Sequence, residues 1–239
     1  TIQQVGRAEG VSNATVNRRL QVVSRILRKA RDEWEWIDVV PKVPVLSEPL
    51  ERVRFLTDVE AQCLLCELPK HLATMVDFTL QTGLRMSNVT GLRWDRIDLV
   101  RRRLWVVADE AKGRRGIHVP LNDRAVEILR QERMRHPTHV FTYLGKPVLR
   151  PNQRAWRLAL KRAGIEDFHW HDLRHTWATW HVQNGTPLHV LQKLGGWRSI
   201  DMVLRYAHLS DEHLAGFAGN VNGNGLNRSN GTSGYISAT

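Results

Sequence analysis

The 239 residues are 42% hydrophobic, with no apolar run near the length of a membrane span, so a helical membrane protein is not expected, and no secretory leader pattern opens the given sequence. Lys and Arg number 35 against 24 Asp and Glu, a formal charge of +11 that favours a polyanionic partner, nucleic acid first, over a merely basic surface. Opening on Thr1 rather than methionine suggests a sequence that starts inside a domain.

In chain order, residues 12–38 have the spacing of one amphipathic helix. Ser12 or Asn13 can cap it, and Val16, Leu20, Val23, Leu27, Ala30 and Trp34 share its apolar stripe. The opposite face carries Arg18, Arg19, Arg25, Arg28, Lys29 and Arg31, which suit either a phosphate backbone or water. Three prolines at 41–49 predict an extended linker, because proline fixes φ and lacks an N–H. Beyond it Thr57 and Glu60 form a capping-box pattern before the next helix. Cys63 and Cys66 lie in an apolar helical pattern; one C-x-x-C cannot supply four zinc ligands, so buried reduced thiols are expected.

A helix through residues 71–82, a turn at Thr82-Gly83 and a second helix follow. Apolar runs at 104–107 and 117–121, separated by a charged turn, predict a β-hairpin. Helices are expected at 123–136, 151–164, 171–183 and 187–194. The Gly-, Asn- and Ser-rich tail is expected to be disordered.

Several side chains in this second region carry chemistry. His171 and Arg174 are three apart, so on a helix an imidazole and a guanidinium share a face. Arginine grips phosphate oxygens without losing its charge, and imidazole exchanges protons near neutral pH. A surface pair is the plain alternative. A metal site built from His169, His171, His175 and His181 is another, although no glutamate completes an H-E-x-x-H pattern. Arg85 follows the Gly83 turn at the start of a helix, a place suited to an anion. Lys112 sits at the tip of the predicted hairpin with Arg114 and Arg115 beside it. Tyr206 is one of three tyrosines, and reads equally as a core ring or as a phenol activated by nearby cations.

Taken together, "TGLRMSNVTGLRW", "HDLRHTWATW" and "LGGWRSIDMVLRYAHL" resemble the tyrosine recombinase, or phage integrase, family. The resemblance runs from the linker to about residue 215. It implies that Arg85 and Arg174 clamp the scissile phosphate, that Lys112 protonates the leaving 5′ hydroxyl, that His171 is an acid/base group, and that Tyr206 is the nucleophile. Trp197, nine residues before Tyr206, takes the position where most members carry histidine, and Asn88 one where many carry an acid. The implied fold is mainly α with a small antiparallel β-sheet (α+β), in the catalytic-domain arrangement of that family. The expected domains are 1–40, the last helices of a helical core-binding domain; 41–52, a linker; 53–217, the catalytic domain; and 218–239, a disordered tail.

The implied activity is site-specific cleavage and rejoining of double-stranded DNA through a 3′-phosphotyrosine, without cofactor or metal, integrating or excising a phage or other mobile element. The implied assembly is a monomer when free and a homo-tetramer on DNA, with residues 208–219 as a segment passed to a neighbour. DNA-bending accessory proteins are possible partners, no membrane is expected, and the expected location is the bacterial cytoplasm and nucleoid. A non-catalytic DNA-binding protein derived from an integrase is the rival reading.

Overall fold

The computed structural model describes residues 9–48, 53–107 and 116–210. Lys112, the whole of the expected tail at 218–239, and residues 211–219 of the expected exchanged segment lie outside the described residues. Two compact units divide the chain, Thr1–Arg52 and Val53–Thr239.

The first unit is built on helix α1 (Asn13–Asp32), whose N-cap Ser12 accepts a hydrogen bond from the Thr15 N–H at 3.3 Å. Val16, Asn17, Leu20 and Ala30 face inward, while the six basic residues named above are all exposed. Asn17, a buried polar residue, has both ends of its amide satisfied by the proline-rich segment. It donates to the Leu46 carbonyl and accepts from the Leu46 N–H, both at 2.8 Å. That segment is thus pinned to the helix by paired backbone bonds, because a buried amide must find partners. The helix stops at Asp32, six residues short of the expected end. The N–H groups of Glu33 and Trp34 both turn back to the Lys29 carbonyl, and Glu35 takes a positive φ of 53°. Trp34 consequently leaves the helical stripe and packs on Trp36, ring centroids 4.7 Å apart.

The second unit is mainly helical. Helix α2 (Asp58–Glu67) begins with the expected capping box: Glu60 N–H to Thr57 Oγ1 at 3.2 Å and Thr57 N–H to Glu60 Oε2 at 2.8 Å. It buries Ala61 and Leu64 and turns Cys63 and Cys66 outward, so the expected burial of the thiols is corrected: both are exposed. Helix α3 (Lys70–Thr82) forms the centre, with Leu72, Met75, Val76, Phe78 and Leu80 all buried. It packs against α2, against α4 (Met86–Thr90), against α5 (Asp123–Glu132) and against α7 (Asp172–Gln183). Its buried Asp77 is gripped by Arg124 of α5 at 2.8 and 2.9 Å.

The expected second helix after the Gly83 turn is only the five residues of α4. Beyond Gly91 the chain leaves the helix because Leu92 and Trp94 bond to residues 138–140 instead. A short 3₁₀ turn (Trp94–Arg96) leads into β1 (Ile97–Asp98), β2 (Arg103–Val106) and β3 (Ile117–Pro120), an antiparallel sheet in the order β1-β2-β3. The pairing of Val106 with Ile117 closes the described part of the hairpin that carries Lys112. Helix α5 ends at Glu132 rather than 136, before a positive φ at Met134 and Pro137, which cannot continue a helix. The small ribbon of β4 (Thr142–Tyr143) and β5 (Lys146–Pro147) was not expected, two-residue strands being too short for a period to show.

Helices α6 (Gln153–Arg162), α7, α8 (Leu188–Gly195) and α9 (Asp201–Leu204) complete the unit, with a 3₁₀ turn at Ala207–Ser210. One apolar cluster fills the space around α3; a second holds Trp177, Ala178, Val182, Leu191, Val203 and Tyr206 between the last helices. Among the described residues no helix is long and apolar enough to cross a membrane.

Replacing Thr57 by Ala removes the α2 cap and should lower stability by about 1 kcal/mol in urea unfolding. The Arg54 guanidinium, then the Thr57 backbone N–H, hold the Glu60 carboxyl below its ordinary range despite partial desolvation. A depressed folded-state pKa stabilises above the unfolded value and is lost as pH falls through the folded one. Thermal melts should therefore show Glu60→Gln losing less stability than the parent protein as the pH drops below about 4.5.

Candidate active site

The site is assembled from three helix ends. Helix α3 terminates at Gly83 in the left-handed conformation, φ 62°. A β-carbon there would lie 2.3 Å from the indole of Trp177, so glycine is required by both backbone and space. The turn directs the Gly83 carbonyl inward and leads, through buried Leu84, to Arg85, the half-buried N-cap residue of α4.

His171, the N-cap residue of α7, is exposed, and its ring meets His175 edge-on, centroids 5.1 Å apart. Asp172 in the first turn accepts from the His169 N–H at 2.6 Å, fixing the approach to the helix. One turn in, Arg174 is 5% exposed. Its Nη1 donates to the Gly83 carbonyl and its Nη2 to the Gly195 carbonyl, each at 2.6 Å. These two oxygens come from the C-terminal ends of α3 and α8, where unsatisfied carbonyls and the helix dipole concentrate negative potential. The guanidinium also lies over the Trp197 ring, 4.1 Å from its centroid.

Burial pushes the Arg174 pKa down to about 10, the positive charge of Arg85 acts in the same direction, and Tyr206 opposes them. The group stays charged at neutral pH. That electrostatic coupling also places two guanidiniums within each other's field, an arrangement that favours an anion between them.

Trp197 is set by the cap of α8. Its N–H reaches back to the Gln192 carbonyl at 3.0 Å, and the Gln192 side-chain amide donates to the Trp197 carbonyl at 3.2 Å. A β-carbon at Gly195 would lie 1.9 Å from the Trp197 ring, so this indole can occupy its place only above a glycine. Trp197 stacks on Trp177 at 6.0 Å and stands 6.1 Å from Tyr206, centroid to centroid. Ile117 of β3 abuts Gly196, which puts the base of the Lys112 hairpin at the same corner.

Tyr206 follows α9 and is 1% exposed, its ring inside the second apolar cluster. Its hydroxyl is 2.6 Å from Nδ1 of His175. The structure thus brings Arg85, Arg174, Trp197 and Tyr206 together, with His171 one ring away through His175. Asn88 is half-buried on α4, and its backbone N–H bonds to the Arg85 carbonyl at 2.9 Å. Lys112 lies outside the described residues.

The four histidines do not share a centre. His169 is exposed beside Asp172, His175 faces Tyr206, and His181 bonds Thr186 Oγ1 at 3.0 Å. Among the described residues no three His, Cys, Asp or Glu side chains are grouped to hold a metal ion. Missed by the sequence reading were the Gly83 and Gly195 carbonyls and the His175–Tyr206 contact. The H-x-x-R-H string displayed the second histidine, but its partner is 31 residues away.

The model of the phage integrase family matches residues 54–213. The chain belongs to that family. It is 43% identical over 214 residues to the integrase of Salmonella phage P22, covering 84% of this chain and 55% of the relative. It is 31% identical over 207 residues to the shufflon-specific DNA recombinase of Escherichia coli, covering 83% and 52%. The chain therefore spans about half the length of these relatives. The Tn1549 transposon integrase in complex with transposon right end DNA shares the fold with a TM-score of 0.71 at 18% identity, over 92% of this chain and 83% of that one. The catalytic domain of bacteriophage HP1 integrase does so with a TM-score of 0.56 at 24% identity, over 74% and 98%.

Gly83→Ala and Gly195→Ala should each destabilise the second unit by about 1–3 kcal/mol, because the added methyl displaces an indole from a packed site. Urea unfolding followed by tryptophan fluorescence measures both.

Proposed function

We propose that this chain is the catalytic part of a site-specific DNA recombinase that cuts and rejoins strands through a tyrosine. The observation that carries the reading is a phenol, Tyr206, lodged beside a buried, doubly anchored guanidinium that is itself coupled to a second one. Family membership supports it, as do relatives named as integrases and DNA recombinases.

In this mechanism Arg85 and Arg174 hold two non-bridging oxygens of a DNA phosphate. Tyr206 Oη attacks phosphorus, its proton passing to an imidazole at the start of α7, the bond to the 5′ oxygen breaks, and a 3′-phosphotyrosine forms. A proton from Lys112 accompanies the 5′ hydroxyl as it leaves. In the second half a 5′ hydroxyl of another strand attacks and gives its proton to Lys112, the phosphotyrosine bond breaks, and the phenol recovers its proton from the imidazole. The ester bond is exchanged rather than hydrolysed, so no nucleotide is consumed. The cations supply the charge stabilisation that metal ions bring to many phosphoryl transfers, so the reaction proceeds without one. Trp197 supports the Arg174 plane from below.

The substrate is a double-stranded attachment or recombination site in bacterial DNA, engaged by four copies that are monomeric when free, with bending proteins as helpers. The exposed basic face of α1 and the net charge of +11 suit the phosphate backbone.

The test is covalent trapping on a nicked candidate site in EDTA. A denaturation-resistant adduct is expected with the parent protein and none with Tyr206→Phe. Arg174→Lys should lower adduct formation by about 100-fold or more, since one ammonium cannot bridge two carbonyls and still present a fork to phosphate. Salt-sensitive binding without any adduct would identify a non-catalytic DNA-binding protein instead.

A further inference from the structure

We propose that His175, rather than His171, is the group that takes the proton from Tyr206 as it attacks and returns it when the strand is resealed. The assignment rests on the recombinase reading.

The geometry is direct. His175 lies one helical turn after His171 on α7, and its Nδ1 is 2.6 Å from the Tyr206 hydroxyl, across 31 residues of sequence. A phenol donates its O–H to a neutral imidazole nitrogen, which requires the tautomer with hydrogen on Nε2. His171 is exposed at the helix start and meets His175 by its ring edge. The phenol sits in an apolar cluster with Trp177, Ala178, Val182, Leu191 and Val203, where bulk water is a poor acceptor.

An isolated phenol has a pKa of about 10 and an imidazole about 6.5, so transfer cannot complete before attack. It completes as the Oη–P bond forms and the phenol oxygen loses its basicity. In the forward step Oη–P forms, P–O5′ breaks, and the phenol proton passes to Nδ1, leaving an imidazolium. In the reverse step a 5′ oxygen attacks, Oη–P breaks, and the imidazolium returns its proton to Oη. Near His175 stand His171, whose ring meets it edge-on, Tyr206 at its Nδ1 and, adjacent in the chain, Arg174, which is coupled to Arg85 and Tyr206. His208, on the 3₁₀ turn that packs against α7, is exposed.

His175→Asn keeps a hydrogen-bonding atom near the Nδ1 position but removes the base. Single-turnover adduct formation by the full chain on nicked site DNA is followed across pH, with DNA affinity and melting temperature measured alongside. The expected result is a loss of about 100-fold at neutral pH. The rate of the variant should then keep rising with pH where the parent rate levels off, with DNA affinity unchanged. His175→Gln serves as the second variant. Placing a more acidic fluorinated tyrosine at position 206 should narrow the gap between His175→Asn and the parent, an effect that a packing defect would not produce.

A His175→Asn rate within twofold of the parent overturns the assignment. So does a faster rate, which would make the contact a restraint on the phenol. A loss with the parent's pH profile, untouched by fluorination, also overturns it in favour of a packing role. Absence of adduct from the parent protein itself, with DNA still bound, defeats the recombinase reading and this assignment together. Loss confined to the variants, with the altered pH profile and the narrowed gap on fluorination, upholds both.

Discussion

The second unit is organised around one buried cation. A guanidinium withdrawn from water demands hydrogen-bonding partners and negative potential, and Arg174 finds both at the carbonyl ends of α3 and α8. Satisfying it fixes where those two helices stop, and both stop at glycines that approach an indole too closely for any side chain. Trp177 lies against the first glycine and Trp197 against the second, and the two indoles stack on each other. Helix ends, glycines and tryptophans are therefore one mutually dependent arrangement.

That arrangement also governs the chemistry. Arg174 spends one donor on each carbonyl, and in the proposed reaction its remaining N–H groups, held in a rigid plane, meet the phosphate. Arg85 follows the same Gly83 turn, so one stretch of backbone carries both the carbonyl that holds Arg174 and the second arginine coupled to it. Tyr206 joins through the second apolar cluster, its ring beside Trp197 and His175 at its hydroxyl. Preorganised dipoles and charges of this kind cost no rearrangement at the moment of reaction.

In the first unit a similar logic works on a smaller scale. Asn17 is a polar residue on the buried face of α1, and its amide recruits Leu46 from the proline-rich stretch. Proline content alone reads as a spacer; a single buried amide makes part of it a structural partner of the helix. The exposed basic residues on the opposite face are free of that role and remain accessible to a polyanion.

The sequence by itself determined the family, the capping box at Thr57, the hairpin strands, most helix centres, and the motif positions Arg85, His171, Arg174, Trp197 and Tyr206. These follow from local periodicity, cap chemistry and short strings of residues, all of which act within a few positions. Only the tertiary structure decided the rest. Cys63 and Cys66 are exposed because α2 buries its Ala61–Leu64 side against the core, a choice invisible to a helix whose apolar residues are spread around it. Helix α4 is short because Leu92 and Trp94 find partners near residues 138–140. His175 meets Tyr206, and Arg174 meets Gly83, across 31 and 91 residues of chain. Such contacts are made by packing and by the need to satisfy buried polar groups, and neither leaves a periodic trace in the order of amino acids.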